Sequence, residues 1–179
     1  MAEALLAVAA LAVLALAALL VYAATRPDSF RIERKALIAA PPEAIFPQIN
    51  SFRAWTAWSP WEGKDPAMRR QYGERTAGVD ASYAWAGNRL VGVGRMEIVD
   101  SVPPSRVVIR LTFLKPFKAV NMAEFTLIPQ GAGTEVAWVM HGPSPYLSKV
   151  MGVVVNMDRM VGRDFETGLA NLRRVVEGA

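Results

Sequence analysis

Hydrophobic and polar positions follow three different rhythms along the chain. Residues 4–24 form an unbroken apolar run of Ala, Leu and Val with a single Tyr, and contain no charge, Pro or Gly. Roughly 20 such residues are enough to cross the hydrocarbon core as a helix. From residue 30 to residue 140 the dominant period is two, the mark of strands with one buried face. From residue 145 onward the period lengthens: Val150, Val154, Met157, Val161, Phe165, Leu169, Leu172 and Val176 recur every third or fourth position, which predicts one long amphipathic helix over residues 145–177.

The middle region resolves into short elements. Residues 30–38 alternate, with Phe30 and Ile32 on one side and Arg31, Glu33 and Lys35 on the other, and predict a first strand. Pro41, Pro42 and Glu43 suit a first helical turn, and Ala44, Ile45 and Ile49 carry that helix to about Asn50. Strands are then expected over residues 68–72, 79–86, 91–99, 107–114, 120–128 and 135–140. Gly87-Asn88, Val102-Pro103-Pro104-Ser105, Lys115-Pro116 and Pro129-Gln130-Gly131 are turn chemistry between them. The predicted fold class is α+β: a helix-grip, in which a curved antiparallel sheet wraps a long C-terminal helix, plus one N-terminal transmembrane helix. The expected organisation is an anchor at residues 1–25, a linker at 26–29 and one ligand-binding domain at 30–179.

Membrane attachment through residues 4–24 is preferred to a cleaved signal peptide. No basic residue precedes the run, which also exceeds the usual signal core of about 7–15 residues. Arg26, Arg31, Arg34 and Lys35 follow it, but Asp28 and Glu33 lie among them, so the side of the membrane stays open. The chain has 179 residues, a net charge of +4, no Cys and one His. Its Lys and Arg residues are dispersed rather than gathered into a stripe, which speaks against nucleic-acid binding. Without Cys, and with one His, neither a zinc site nor another metal site is expected, and no cofactor motif is present. Gly92-Val93-Gly94 falls inside a strand, where a bend or bulge is the expected reading rather than a phosphate loop.

The segment Ile38-Ala39-Ala40-Pro41-Pro42-Glu43-Ala44-Ile45-Phe46, followed by Trp55 and Trp58-Ser59-Pro60-Trp61, resembles the opening of the SRPBCC (START/Bet v 1-like) superfamily. Its polyketide cyclase/dehydrase-type branch is the most similar. Tyr83-Ala84-Trp85, Gly133-Thr134-Glu135-Val136-Ala137-Trp138 and Gly162-Arg163-Asp164-Phe165-Glu166-Thr167-Gly168-Leu169 extend the resemblance over residues 30–177. It implies a container fold whose members bind lipids, sterols, hormones or polyketides, only some of them as enzymes.

A hydrophobic small molecule, lipid- or polyketide-like, is therefore the expected partner, held in an apolar cavity between sheet and helix. Trp58, Trp61, Tyr83, Trp85, Phe113, Phe125 and Trp138 are the candidate ligand-binding aromatics, each also able to be plain core. Met157, with Met151 and Met160, fits a compliant lid. The Trp58–Trp61 segment reads equally as a lip or as a clasp. Gly152, Gly162 and Gly168 predict close approach of helix to sheet, with a hinge as the alternative. No catalytic constellation is visible: Tyr83, Arg95 and His141 are the ionisable residues to examine, and Asp164 and Glu166, two apart on a helix, point to different sides. A cyclase or dehydratase, or a structural module of a membrane complex, are the alternatives to a carrier.

Overall fold

A computed structural model describes residues 1–178. The elements are α1 (Ala2–Ala24), β1 (Ser29–Ile38), α2 (Pro42–Asn50), a 3-10 turn (Ala54–Ala57), β2 (Arg69–Tyr72), β3 (Ser82–Ala86), β4 (Val93–Val102), β5 (Arg106–Lys115), β6 (Ala119–Gln130), β7 (Gly133–Pro143), α3 (Tyr146–Val154) and α4 (Met157–Glu177). The strands form one seven-stranded antiparallel sheet in the order β1-β7-β6-β5-β4-β3-β2. Only β1 leaves sequence order, returning to pair with β7 from Ser29↔Pro143 to Ile38↔Thr134.

Alternation sets the inner face of this sheet. Ile32 and Ile38 of β1, Val136 and Trp138 of β7, Ala123, Phe125 and Leu127 of β6, Val107 and Ile109 of β5, and Ile98 of β4 all point inward and are buried. They share one core with Ile45, Phe46 and Ile49 of α2 and with Phe165, Leu169 and Leu172 of α4. The charges of β4 and β5 lie out of phase, on the outer face, where Arg110 pairs with Glu97 and Arg106 with Asp100.

Two of the expected elements need correction. The C-terminal helix is two helices, because Val155 turns extended (φ −112, ψ 120) and the Asn156 side chain caps α4 by accepting a hydrogen bond from the Arg159 N–H at 2.8 Å. The third strand starts at Ser82 rather than at residue 79: Gly78 and Asp80 both have positive φ, so Val79 sits in a turn and is exposed.

Helix α1 is long and apolar enough to cross a bilayer, and Ala23 is the one buried residue on it. Its C-terminal turns pack along α3. The Tyr146 hydroxyl donates to the Leu20 carbonyl at 2.9 Å, the Ser144 N–H donates to the Asp28 carbonyl at 2.7 Å, and Lys149 pairs with Asp28 at 2.5 Å.

Candidate functional site

The loop between α2 and β2 closes one side of the cradle. Its Trp55 and Trp58 rings point into the core, and their indole N–H groups donate to the Ile49 and Gln48 carbonyls at 2.9 and 3.0 Å, satisfying the last turn of α2. The Trp58 carbonyl accepts from Asn171 of α4 at 3.1 Å, and Pro60 lies against Gly168. Trp58 thus ties the loop to both α2 and α4. Trp61 is half-buried, edge-on to Trp138 at 5.7 Å and to Phe165 at 6.4 Å.

The expected cavity between sheet and C-terminal helix is occupied by these rings. Trp138 lies parallel to Phe165 at 4.1 Å, with Phe125 on its other side at 4.7 Å, and Trp58 meets it edge-on at 5.7 Å. The Trp138 N–H, in a residue 2% exposed, has no hydrogen-bond partner among the described residues. Gly162 and Gly168 bring α4 this close, one facing the Arg34 guanidinium and the other Trp138, as their spacing predicts; Gly152 faces open space and has no such role. Two open clefts lie on the surface outside this packed core, the first of them reaching Phe30 and Gly142. One, of about 550 Å³, lies where β1, β6 and β7 meet and is lined by Arg31, Val120, Met122 and His141; the other, of about 410 Å³, is on the outer side of α4 beside Arg174.

Toward the Ser29–Pro143 end of the sheet the inner face is less covered. Phe30, Leu111, Phe113, Met140 and Trp85 all point inward by register yet stay half-exposed. Phe113 and Trp85 meet edge-on at 5.9 Å across Gly94, where any Cβ would strike the Trp85 ring, and Trp85 is fixed by donating its N–H to the Val91 carbonyl at 2.9 Å. A register shift at Val93/Gly94 supplies the bend expected there. Among these apolar positions sits one amide, Asn121, which is 8% exposed. Gly142 leaves the space that its Oδ1 fills beside Phe30. Sequence reading missed Asn121; its signal was a polar residue in phase with Ala123, Phe125 and Leu127.

The ionisable candidates separate. Tyr83 is buried on the inner face, stacked 6.2 Å from Trp85, with its hydroxyl 3.4 Å from Glu62. Burial, then the neighbouring Glu62 carboxylate, pushes its phenol well above the usual range, so it stays protonated at neutral pH. Glu62 is bound by Arg70, whose guanidinium reaches it through two nitrogens. His141 and Arg95 lie on the outer face. Asp164 pairs with Lys64 at 2.6 Å and Glu166 with Arg34 at 2.7 Å, so they serve different sides as expected. Met151, Met157 and Met160 are exposed rather than folded over the inner face. No group of three or more metal-ligating side chains occurs among the described residues.

Solved structures share this architecture. Protein CV1439 from Chromobacterium violaceum aligns with a TM-score of 0.59 at 17% identity, over 85% of this chain and 99% of that one. MLL2253 from Mesorhizobium loti gives 0.59 at 16%, over 84% and 98%, and the KanY protein gives 0.63 at 16%, over 83% and 98%. At these identities the likeness is one of fold. No curated protein matches the chain in sequence. The family described as polyketide cyclase / dehydrase and lipid transport matches residues 29–177, all of the sheet and both C-terminal helices, and the chain belongs to that family.

Proposed function

We propose that the protein is a membrane-held binding or carrier protein for a hydrophobic small molecule, lipid- or polyketide-like, taken up at the half-exposed end of the inner sheet face. The observation that carries this reading is the row of apolar side chains along one end of the inner face, Phe30, Met140, Leu111, Phe113 and Trp85, with the amide of Asn121 opposite Leu111 and beside Phe30. Such a lining suits an apolar body bearing one hydrogen-bonding group, the usual composition of a small-molecule site. Each methylene that leaves water contributes about 0.8 kcal/mol, so an alkyl chain needs no charged partner here.

Binding without chemistry is favoured because the Glu62 carboxylate beside Tyr83 is engaged by Arg70, and burial keeps the Tyr83 phenol protonated, so Tyr83 cannot accept a proton from a ligand at neutral pH. The alternative placed among the family's activities, a cyclase or dehydratase, would need one of them to do so. Helix α1 supplies the tether.

The test is native mass spectrometry of the full chain released from membranes in a non-dissociating detergent. A co-purifying apolar species, lost in Phe113→Asp, is expected. Turnover of a polyketide-like substrate that disappears in Tyr83→Phe while binding persists would replace carriage by catalysis.

A further inference from the structure

The antiparallel register places several features at one end of the sheet. Ser29 of β1 pairs with Pro143 of β7, Ala119 of β6 with Phe113 of β5, and Val93 of β4 with both Lys115 of β5 and Ala86 of β3. The β3–β4 turn, the β5–β6 turn, the end of α1 and the start of α3 therefore all lie at this end, next to the half-exposed inner face. Both turns present large apolar side chains to solvent: Leu90 is 72% exposed and Phe117 is 59% exposed. Exposed Arg89, Lys115 and Lys118 flank them.

Helix α3 is the second observation. It packs on α1, Lys149, Val150 and Val153 are its partly buried positions, and Lys149 is tied to Asp28. The remaining surface carries Leu147, Met151 and Val154 in a stripe, Val154 being 76% exposed, with Ser148 as its one polar side chain. Apolar surface of this kind marks an interaction site. Its occupant follows from continuity with α1: the Tyr146 hydroxyl binds the carbonyl of Leu20, a residue inside the apolar run. Tyr22, two residues after that carbonyl, carries Arg26 over its ring, and such Tyr and Arg side chains are the composition of a membrane–water interface.

We infer that α3 and the Leu90 and Phe117 turns dock onto the phospholipid bilayer that holds α1, so that the mouth of the proposed binding face opens directly onto lipid. This rests on the membrane-held reading above and adds a specific orientation of the domain. Basic turns beside apolar tips fit anionic headgroups surrounding inserted side chains.

The chain has no Cys, so single substitutions accept a fluorophore cleanly. Leu147→Cys, Val154→Cys, Phe117→Cys, Val21→Cys and, at the opposite sheet end, Gln130→Cys are labelled in the full chain. Each is reconstituted into vesicles of phosphatidylcholine and phosphatidylglycerol. A lipid-borne nitroxide should remove most of the emission at residues 21, 117, 147 and 154, and aqueous iodide should remove most of it at residue 130. If residue 21 is quenched from lipid while 117, 147 and 154 respond to iodide alone, the tether stands and the docking is wrong. If residue 21 also responds only to iodide, both readings fall. Labels shielded from both quenchers until the protein is diluted in the bilayer would show that a second copy covers the surface, which also overturns the proposal.

Discussion

Trp138 and Phe165 lie face to face, 4.1 Å apart and 5° from parallel, joining β7 to the middle of α4. Aromatic pairs favour offset stacking beyond the area that they bury, and both rings are almost wholly inaccessible. Phe165→Ala should therefore destabilise the domain by about 3–5 kcal/mol. Chemical denaturation of the variant followed by Trp fluorescence measures this. A loss under about 1 kcal/mol would mean that the interface relaxes around the gap.

Gly168 and Gly162 make different predictions. A Cβ at residue 168 would sit 2.7 Å from Trp138 Cζ3, whose ring is packed against Phe165 and Phe125, and 3.1 Å from Pro60 Cδ. Overpacking of about 1–3 kcal/mol should outweigh the gain of about 1 kcal/mol from removing a helical Gly, so Gly168→Ala lowers the melting temperature. At residue 162 the obstacle is the tip of Arg34, which can swing away. Gly162→Ala should leave stability nearly unchanged but part Arg34 from Asp158 and Glu166. Thermal melts of the two variants side by side check the contrast.

Alkaline pH should weaken the fold through Tyr83. Its folded phenol titrates above the ordinary value of 10.0, chiefly from burial and then from Glu62. Above that ordinary value the unfolded chain releases the proton while the folded chain keeps it, so stability present below pH 10 falls as pH rises further. Tyr83→Phe should flatten the decline. Stability curves for both proteins across this range decide it; identical slopes would assign the decline to other groups.

Much of this architecture was legible in the sequence because burial on one face imposes period two, as in Ile32 to Ile38 and Val107 to Ile109. The break between α3 and α4 was not, since Val150, Val154, Met157 and Val161 keep a helical rhythm across it while changing what they face. Asn156, as an N-cap, was its one local signal. The aromatic set divides for a similar reason. Trp58, Phe125 and Trp138 are packed into the core, whereas Trp85 and Phe113 stay half-exposed. Alternation gives a residue's face; how near the helix comes to that face is set by Gly162 and Gly168 acting on remote partners.

Uptake of a fluorescent fatty-acid analogue by the full chain in vesicles tests the central claim most directly. Leu111→Asp and Phe113→Asp place a charge on the half-exposed inner face, while Ile128→Asp places one on an exposed residue of β6. A buried, unpaired carboxylate is strongly disfavoured beside an alkyl chain. Binding should fall by at least about tenfold in the first two variants, the equivalent of about 1.4 kcal/mol, and be unchanged in the third. Equal affinity in all three folded variants would contradict ligand binding at this face.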